Sequence, residues 1–463
     1  MSFDRIVRGA LGLTLVACGS EIQVQDVAST VTPSMGTVVE VTWTTDVPTT
    51  GFVRFGEGET LDRETAPSPE PSTTHTAQLV ALPQQTDINF VVVAGEGDDA
   101  VESDVQTVTT GALDGFVPEI TVTGDPVDHF MVVPLLSKRD RNLAYPVVID
   151  REGRVVWTFT DTREAQVYRA QLSRDGSGVV YSATVVGGGP VQDSAIVRVG
   201  WDGEILVTHD IPWLAHDFIE LEDGRLVTLA SECRDEDGNP VALQDGGCPD
   251  AIEGNTLLAI SPDGSVETLW ATWDCLDPKT HPSNAFDRDN WTHTNALDYD
   301  EATDTYLVGM RNLDSILSVD VETKTCDWGL GGIAGTLDVA GARFRKQHQY
   351  DWVGDRLLVF DNQGGFPNSR VVEYRFDTTD GATEVRTFVS DPPVFTLVLG
   401  DVYRTSNGNT RIFWGNPDTV DNTALSELYD ADGVMTSQIR VAGMIMGFSQ
   451  IVVDPGRPDL GEP

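Results

Sequence analysis

Two interleaved series of tight turns constrain this chain more than any other feature of its sequence. One series recurs about every fifty to sixty residues: DREGRVVW from Asp150, GWDGEIL from Gly200, SPDGSVETLW from Ser261, VETKTCDW from Val321, DTTDGATEV from Asp377 and DADGVMTS from Asp430. Between its members lies a second series: SRDGSGVVY, LEDGRLVTL, YDEATDTYLV, WVGDRLLVF and TSNGNTRIFW. Asp-Gly and Asn-Gly pairs flanked by β-branched and aromatic residues are hairpin signals, because these residues accept the positive φ of a tight turn. A unit repeated at such a period cannot bury its apolar face alone and must stack on its neighbours. Six copies of one turn and five of the other imply six four-stranded units, the last completed by the chain termini, and no helical period competes. The expectation is an all-β chain with a six-bladed β-propeller over residues 113–455 and a tail at 456–463.

Ahead of the repeats, VVEVTWTT, GFVRFGEG, THTAQLVAL and INFVVVAG read as short alternating strands separated by Pro, Gly and Asp turns. About seven such strands in roughly a hundred residues make a β-sandwich over 18–112, similar to a fibronectin type III module with Trp43 as its core tryptophan. His75 then falls on a surface or edge position, and the module serves as a spacer or an interface.

The first residues, MSFDRIVRGALGLTLVACGS, place Arg5 and Arg8 before a short apolar run that ends at Cys18. The run is too short to span a bilayer. Small residues directly before the cysteine resemble a lipoprotein signal over 1–17, with cleavage before Cys18 and lipid on its sulfur. The chain is therefore expected to be exported and lipid-anchored in a bacterial cell envelope. Gly19 and Ser20 favour the outer membrane or periplasmic face. In such an oxidising compartment the remaining cysteines, Cys233, Cys248, Cys275 and Cys326, are disulfide candidates, most simply Cys233 with Cys248 and Cys275 with Cys326. No CxxC is present, which argues against a zinc or redox role for them.

Lys+Arg 30 against Asp+Glu 73 gives a formal net charge of -43. A surface of that sign repels nucleic acid and anionic lipid, so no nucleic-acid partner is expected, and membrane contact only through the N-terminal lipid. An anionic ligand could approach only where the field is locally reversed. FRKQHQYDW, around His348, is such a place. His216 in WLAHDFIELEDG and His293 in DNWTHTNALDYD stand at a similar distance before the hairpin of their own repeat, as His348 does. Three successive repeats would thus bring three imidazoles to one rim of the central channel. The hairpin after His293 makes Arg311 its antiparallel partner, which puts a guanidinium at the same rim. Strand alternation adds Asn295 beside His293 and Lys346 beside His348.

Three imidazoles can ligate zinc or iron. An arginine beside them opposes a divalent cation and suits an oxyanion instead, so no metal and no cofactor are expected. Taken together, His216-Asp217, Asn290-Trp291 with His293-Thr294-Asn295, Arg311, WGLGG from Trp328, Gln347-His348, FDNQGG from Phe360 and GDVYRTSNGNTRIFWG from Gly400 resemble the pattern of bacterial arylsulfate sulfotransferases. The chain departs from that pattern at Ala215, where the family often has a second histidine, and in the closing segment GMIMGFSQIVV. The resemblance implies nucleotide-independent transfer of a sulfuryl group from an aryl sulfate donor to a phenolic acceptor through a sulfohistidine, with ping-pong kinetics. It implies His348 as nucleophile, with His216, His293, Arg311 and Asn295 holding sulfate oxygens, and Thr294 and Tyr168 as further substrate-binding residues. The absence of a GxxxxGK[ST] phosphate cradle agrees with a donor that is not a nucleotide. The alternative is a non-catalytic, surface-anchored propeller that binds an anionic ligand or a partner protein, and a homodimer is left open.

Overall fold

Both turn series become hairpins in the computed structural model, which describes residues 22–463 apart from 141–142, 162, 164, 186–191, 245–246, 249, 284–289, 302, 420–422, 458 and 460–463. The signal segment and Cys18 lie outside the described residues. Among those described no α-helix occurs, only strands and three short 3-10 turns.

From Phe130 onward six sheets follow one another, antiparallel but for the short flanking strand Val339–Ala340. Every turn of the first series joins the third and fourth strands of a sheet, as Gly200 to Ile205 does. Every turn of the second series joins the first and second strands, as between Glu220 and Leu226. The second series has five members because the first sheet takes its innermost strand from the far end of the chain. There Met444–Met446 and Gln450–Val452 pair with Phe130–Ser137. Ile120–Gly124, from the other end, adds a fifth strand outside the last sheet by pairing with Met435–Ala442.

Adjacent sheets are cemented by the apolar residues that alternate inward along each strand. Leu229 and Leu257 of the third sheet meet Val308 and Leu317 of the fourth. Leu307 and Ile316 meet Leu357 and Val372 of the fifth, and Phe360 and Val371 meet Ile412 and Trp414 of the sixth. Each such side chain contributes about 1.5–3 kcal/mol relative to leaving it in water. With Phe413, Ile439 and Val441 packed against the first sheet, the sheets close on themselves as a β-propeller.

The N-terminal module consists of two facing sheets, with Trp43, Phe55 and Phe90 fully buried between them. His75 lies on the edge strand Ser72–Leu79, yet the expectation of a surface position is overturned. It is the direct cross-strand neighbour of Trp43, and the two rings stack at 4.9 Å, leaving His75 only 3 % exposed. Thr45 and Ser68 hydroxyls engage its two nitrogens, which meets the polar demand of burial.

The module is docked on the propeller. Arg63 makes two charge-assisted bonds of 2.8 Å to Asp454, and Met35, Val38 and Val80 join the core of the first propeller sheets. Cys233 is bonded to Cys248 and Cys275 to Cys326, the expected pairing.

Candidate active site

Four of the segments that lead into innermost strands carry a residue other than glycine at positive φ: Trp213 at 66°, His293 at 45°, Lys346 at 54° and Leu399 at 63°. Such backbone costs energy and persists only where its surroundings hold it. Each stands just before the strands beginning at Leu214, Thr294, Tyr350 and Asp401. The repeated bend turns the chain inward at one rim, and in the third, fourth and fifth sheets it delivers a histidine there.

The rings of His216 and His293 have centroids 5.0 Å apart, and Tyr168, from the second sheet, lies 5.2 Å from His216. Arg311 is in the register expected of it, its backbone N–H donating to the His293 carbonyl at 3.1 Å. His348 lies within electrostatic reach of Arg311 and His216, and 6.1 Å from the ring of Phe448 in the closing segment. Sequence positions from 168 to 448 thus converge on one place. Among the described residues no group of three His, Cys, Asp or Glu side chains is arranged to hold a metal ion.

The protonation states follow from the partners. Burial, then Arg311, depresses His348 well below the ordinary imidazole range, so the ring is neutral and carries one proton. Its Nδ1 lies 2.7 Å from Asn362 Oδ1. The Asn362 amide nitrogen already donates to the carbonyls of Thr396 and Leu399, both at 2.9 Å, so Oδ1 is the acceptor and the proton sits on His348 Nδ1. Nε2 is left with its lone pair.

His293 has the opposite arrangement. Its Nδ1 accepts from the Asn290 amide at 2.9 Å, and because burial and then His216 keep it neutral, Nε2 carries the proton and can donate. His216 is held at about 4, chiefly by burial and secondarily by Arg311. Its Nδ1 is buried without a hydrogen-bond partner. The positive charge of the cluster therefore resides on Arg311 and Lys346. Burial lowers both pKa values, and Asp314 opposes that shift.

The remaining expected residues are engaged as follows. The Asn295 amide donates to the Gln347 carbonyl at 3.0 Å, and its Oδ1 is buried without a partner. Thr294 donates its N–H to Asn255 at 2.9 Å and buries its hydroxyl unpaired. Gln347 ties its strand to the fourth sheet through the carbonyls of Met310 and Ser315.

Below the rings, Asp217 accepts from Leu297 N–H at 2.8 Å and from Gln349 at 2.7 Å, joining the three segments that bear the histidines. Arg169 stands between Asp217 and Asp401, and burial pushes the Asp401 carboxyl up to about 8.

Sequence reasoning gave no role to Asn362, Asn290 or Phe448, although FDNQGG and DNWTHTN contain the two asparagines. Asn362→Leu removes the acceptor that places the His348 proton. The expected result is a roughly 10–100-fold loss of activity at this site, as when an orienting partner of a histidine is lost, with the fold retained. Single-turnover rates and circular dichroism check it.

A family model described as arylsulfotransferase (ASST) matches residues 119–441. No curated protein matches the chain. Solved structures similar to it include TolB from Acinetobacter baumannii, at 10% identity and a TM-score of 0.44 over 80% of each chain. A putative 6-phosphogluconolactonase from Bacteroides fragilis is similar at 14% identity and a TM-score of 0.40, over 70% of this chain and 98% of the other.

Proposed function

The chain belongs to the arylsulfotransferase family, and from that premise we propose that it moves a sulfuryl group from an aryl sulfate to a phenol through a sulfohistidine on His348. The observation that carries this reading is the Asn362 contact, which leaves a neutral His348 with a free lone pair on Nε2. In the first step Nε2 attacks sulfur, the N–S bond forms, the S–O(aryl) bond breaks, and the electron pair departs on the phenolate oxygen. An acceptor oxygen then displaces His348, returning its lone pair. Splitting the exchange in two gives ping-pong kinetics.

Arg311 and the Nε2–H of His293 are suited to the sulfuryl oxygens, on which charge accumulates, and they need little reorganisation to act. Tyr168 and Phe448 flank the histidines with aromatic faces that suit aryl groups. The test is a chromogenic aryl sulfate with and without added phenol. Faster chromophore release with phenol, and sulfate recovered on that phenol, are expected. Absence of sulfated acceptor in every phenol tried would overturn the reading.

Six sheets, each carrying the turns of one repeat, support a six-bladed propeller over 113–455, and the facing sheets before it support a sandwich of the fibronectin type III kind. For location, the run from Arg5 to Cys18 supports export and lipid attachment. The protein should partition with detergent, and Cys18→Ser should leave it uncleaved or soluble. Wild-type protein recovered wholly soluble, beginning after another cleavage site, would contradict this.

A further inference from the structure

Lys346 is one of only four lysines in the chain, with Lys138, Lys279 and Lys324. It is 8 % exposed, and its Nζ is buried without a hydrogen-bond partner. A lysine normally extends its ammonium into water, so a buried head with three undirected N–H donors is costly unless something else meets it. The carboxylate oxygen of Asp314 stands 3.9 Å away and already accepts the Lys346 backbone N–H at 2.8 Å. Strained backbone at Lys346, φ 54°, holds the residue two positions before His348, and its charge acts on both Arg311 and His293. The ammonium thus lies within electrostatic reach of Arg311 and His293 with its donors unspent.

We propose that Lys346 is the proton carrier of the exchange, a further catalytic residue that serves the phenol oxygens rather than the sulfuryl group. The proposal rests on the sulfuryl-transfer reading above. As the S–O(aryl) bond breaks, Nζ gives a proton to the departing oxygen and becomes a neutral amine. As the acceptor oxygen attacks the sulfohistidine, the amine takes the acceptor's hydroxyl proton and is an ammonium again. Protons balance over the two steps, and the leaving group departs as a phenol. Burial lowers the ammonium pKa below the usual lysine range, opposed by the Asp314 carboxylate and helped by Arg311, so Nζ yields its proton more readily than a surface lysine would.

The test is a single-turnover series of aryl sulfates running from a nitrophenyl leaving group, stable as phenolate, to phenyl and alkylphenyl leaving groups that need a proton. Lys346→Met also removes a positive charge from the site, so it should slow every donor, and slow the phenyl donors by roughly 10²-fold or more beyond the nitrophenyl donor, the scale of general acid catalysis. Lys346→Arg keeps the charge but cannot yield a proton, so it should show the same steep dependence on leaving group. An equal loss across all donors, no loss, or full rescue by arginine would overturn the proton role while leaving sulfuryl transfer intact. If the wild type releases phenol from no aryl sulfate, the underlying reading fails and the proposal falls with it.

Discussion

His348→Asn is expected to lack the burst of phenol that the proposed mechanism requires of the wild type, and to lower steady-state transfer on the order of 10⁴-fold or more, the scale of losing a covalent nucleophile. The asparagine amide nitrogen takes the place of imidazole Nδ1 and can still donate to Asn362, so the fold should survive. Quenched turnover of the wild type followed by peptide mass analysis at mildly alkaline pH should find the sulfuryl adduct on the peptide containing Gln347 and His348. A full burst in the variant, or an adduct elsewhere, would remove His348 from the chemistry.

The pH profile is part of the same expectation. Because the reactive ring must be neutral and its pKa lies well below 6.5, the burst rate should stay level as pH falls through the ordinary imidazole range and decline only in stronger acid. Stability follows the same sign. His216, His293 and His348 all have lowered folded pKa values, so the unfolded chain binds protons first. Their contribution is fully present above about pH 6.5 and is lost as pH falls toward the folded values, near 4 for His216.

Arg311→Ala should cost about 3 kcal/mol of transition-state stabilisation, roughly a hundredfold in donor turnover, by analogy with removing an oxyanion donor. Arg311→Lys should recover only part of this, since an ammonium lacks the planar fork. The same substitution should not destabilise the protein. Within the fold Arg311 has a hydrogen bond to Asn312 at 3.1 Å, a buried and unpartnered Nε, and a pKa lowered by burial. A charged group so placed costs folding energy and is kept for function. Melting temperature unchanged or raised, together with lost activity, is the expected pair. Wild-type activity in the alanine variant would place Arg311 outside the site.

Much of the fold could be read from local chemistry. Asp-Gly and Asn-Gly turns act over a few residues, so their positions survive without knowledge of distant contacts, and their count led directly to six sheets and a seam. The histidine register was legible because repeats make distant positions equivalent, and the Arg311 pairing followed from the hairpin. What escaped depends on contacts between segments far apart in the chain. Nothing near Asn362 says that its amide nitrogen will be taken by Thr396 and Leu399, and that occupation decides which His348 nitrogen is free. Nor does the sequence announce that His293 and Lys346 bend at positive φ without a glycine, or that the Asn295 amide is taken by the Gln347 carbonyl. His75 does lie on an edge strand, but stacking on its cross-strand neighbour Trp43 buries it there, a contact between strands about thirty residues apart.

The seam of the ring has a consequence for when the protein can first work. Ile120 pairs with Val441, and Phe130 with Val452, so the two strands of chain that shut the propeller are among the last to meet as it is synthesised. Contacts so remote in sequence must overcome the entropy of a very long loop before they yield any stability. The closing stretch also brings Phe448 beside His348, and its N–H to the carbonyl of Tyr168. The histidines can therefore be assembled on an open arc of sheets while the segment that brings Phe448 beside them is still missing. A chain interrupted before its last strands would hold the three histidines in an unfinished site, so the site is complete only after those strands have docked.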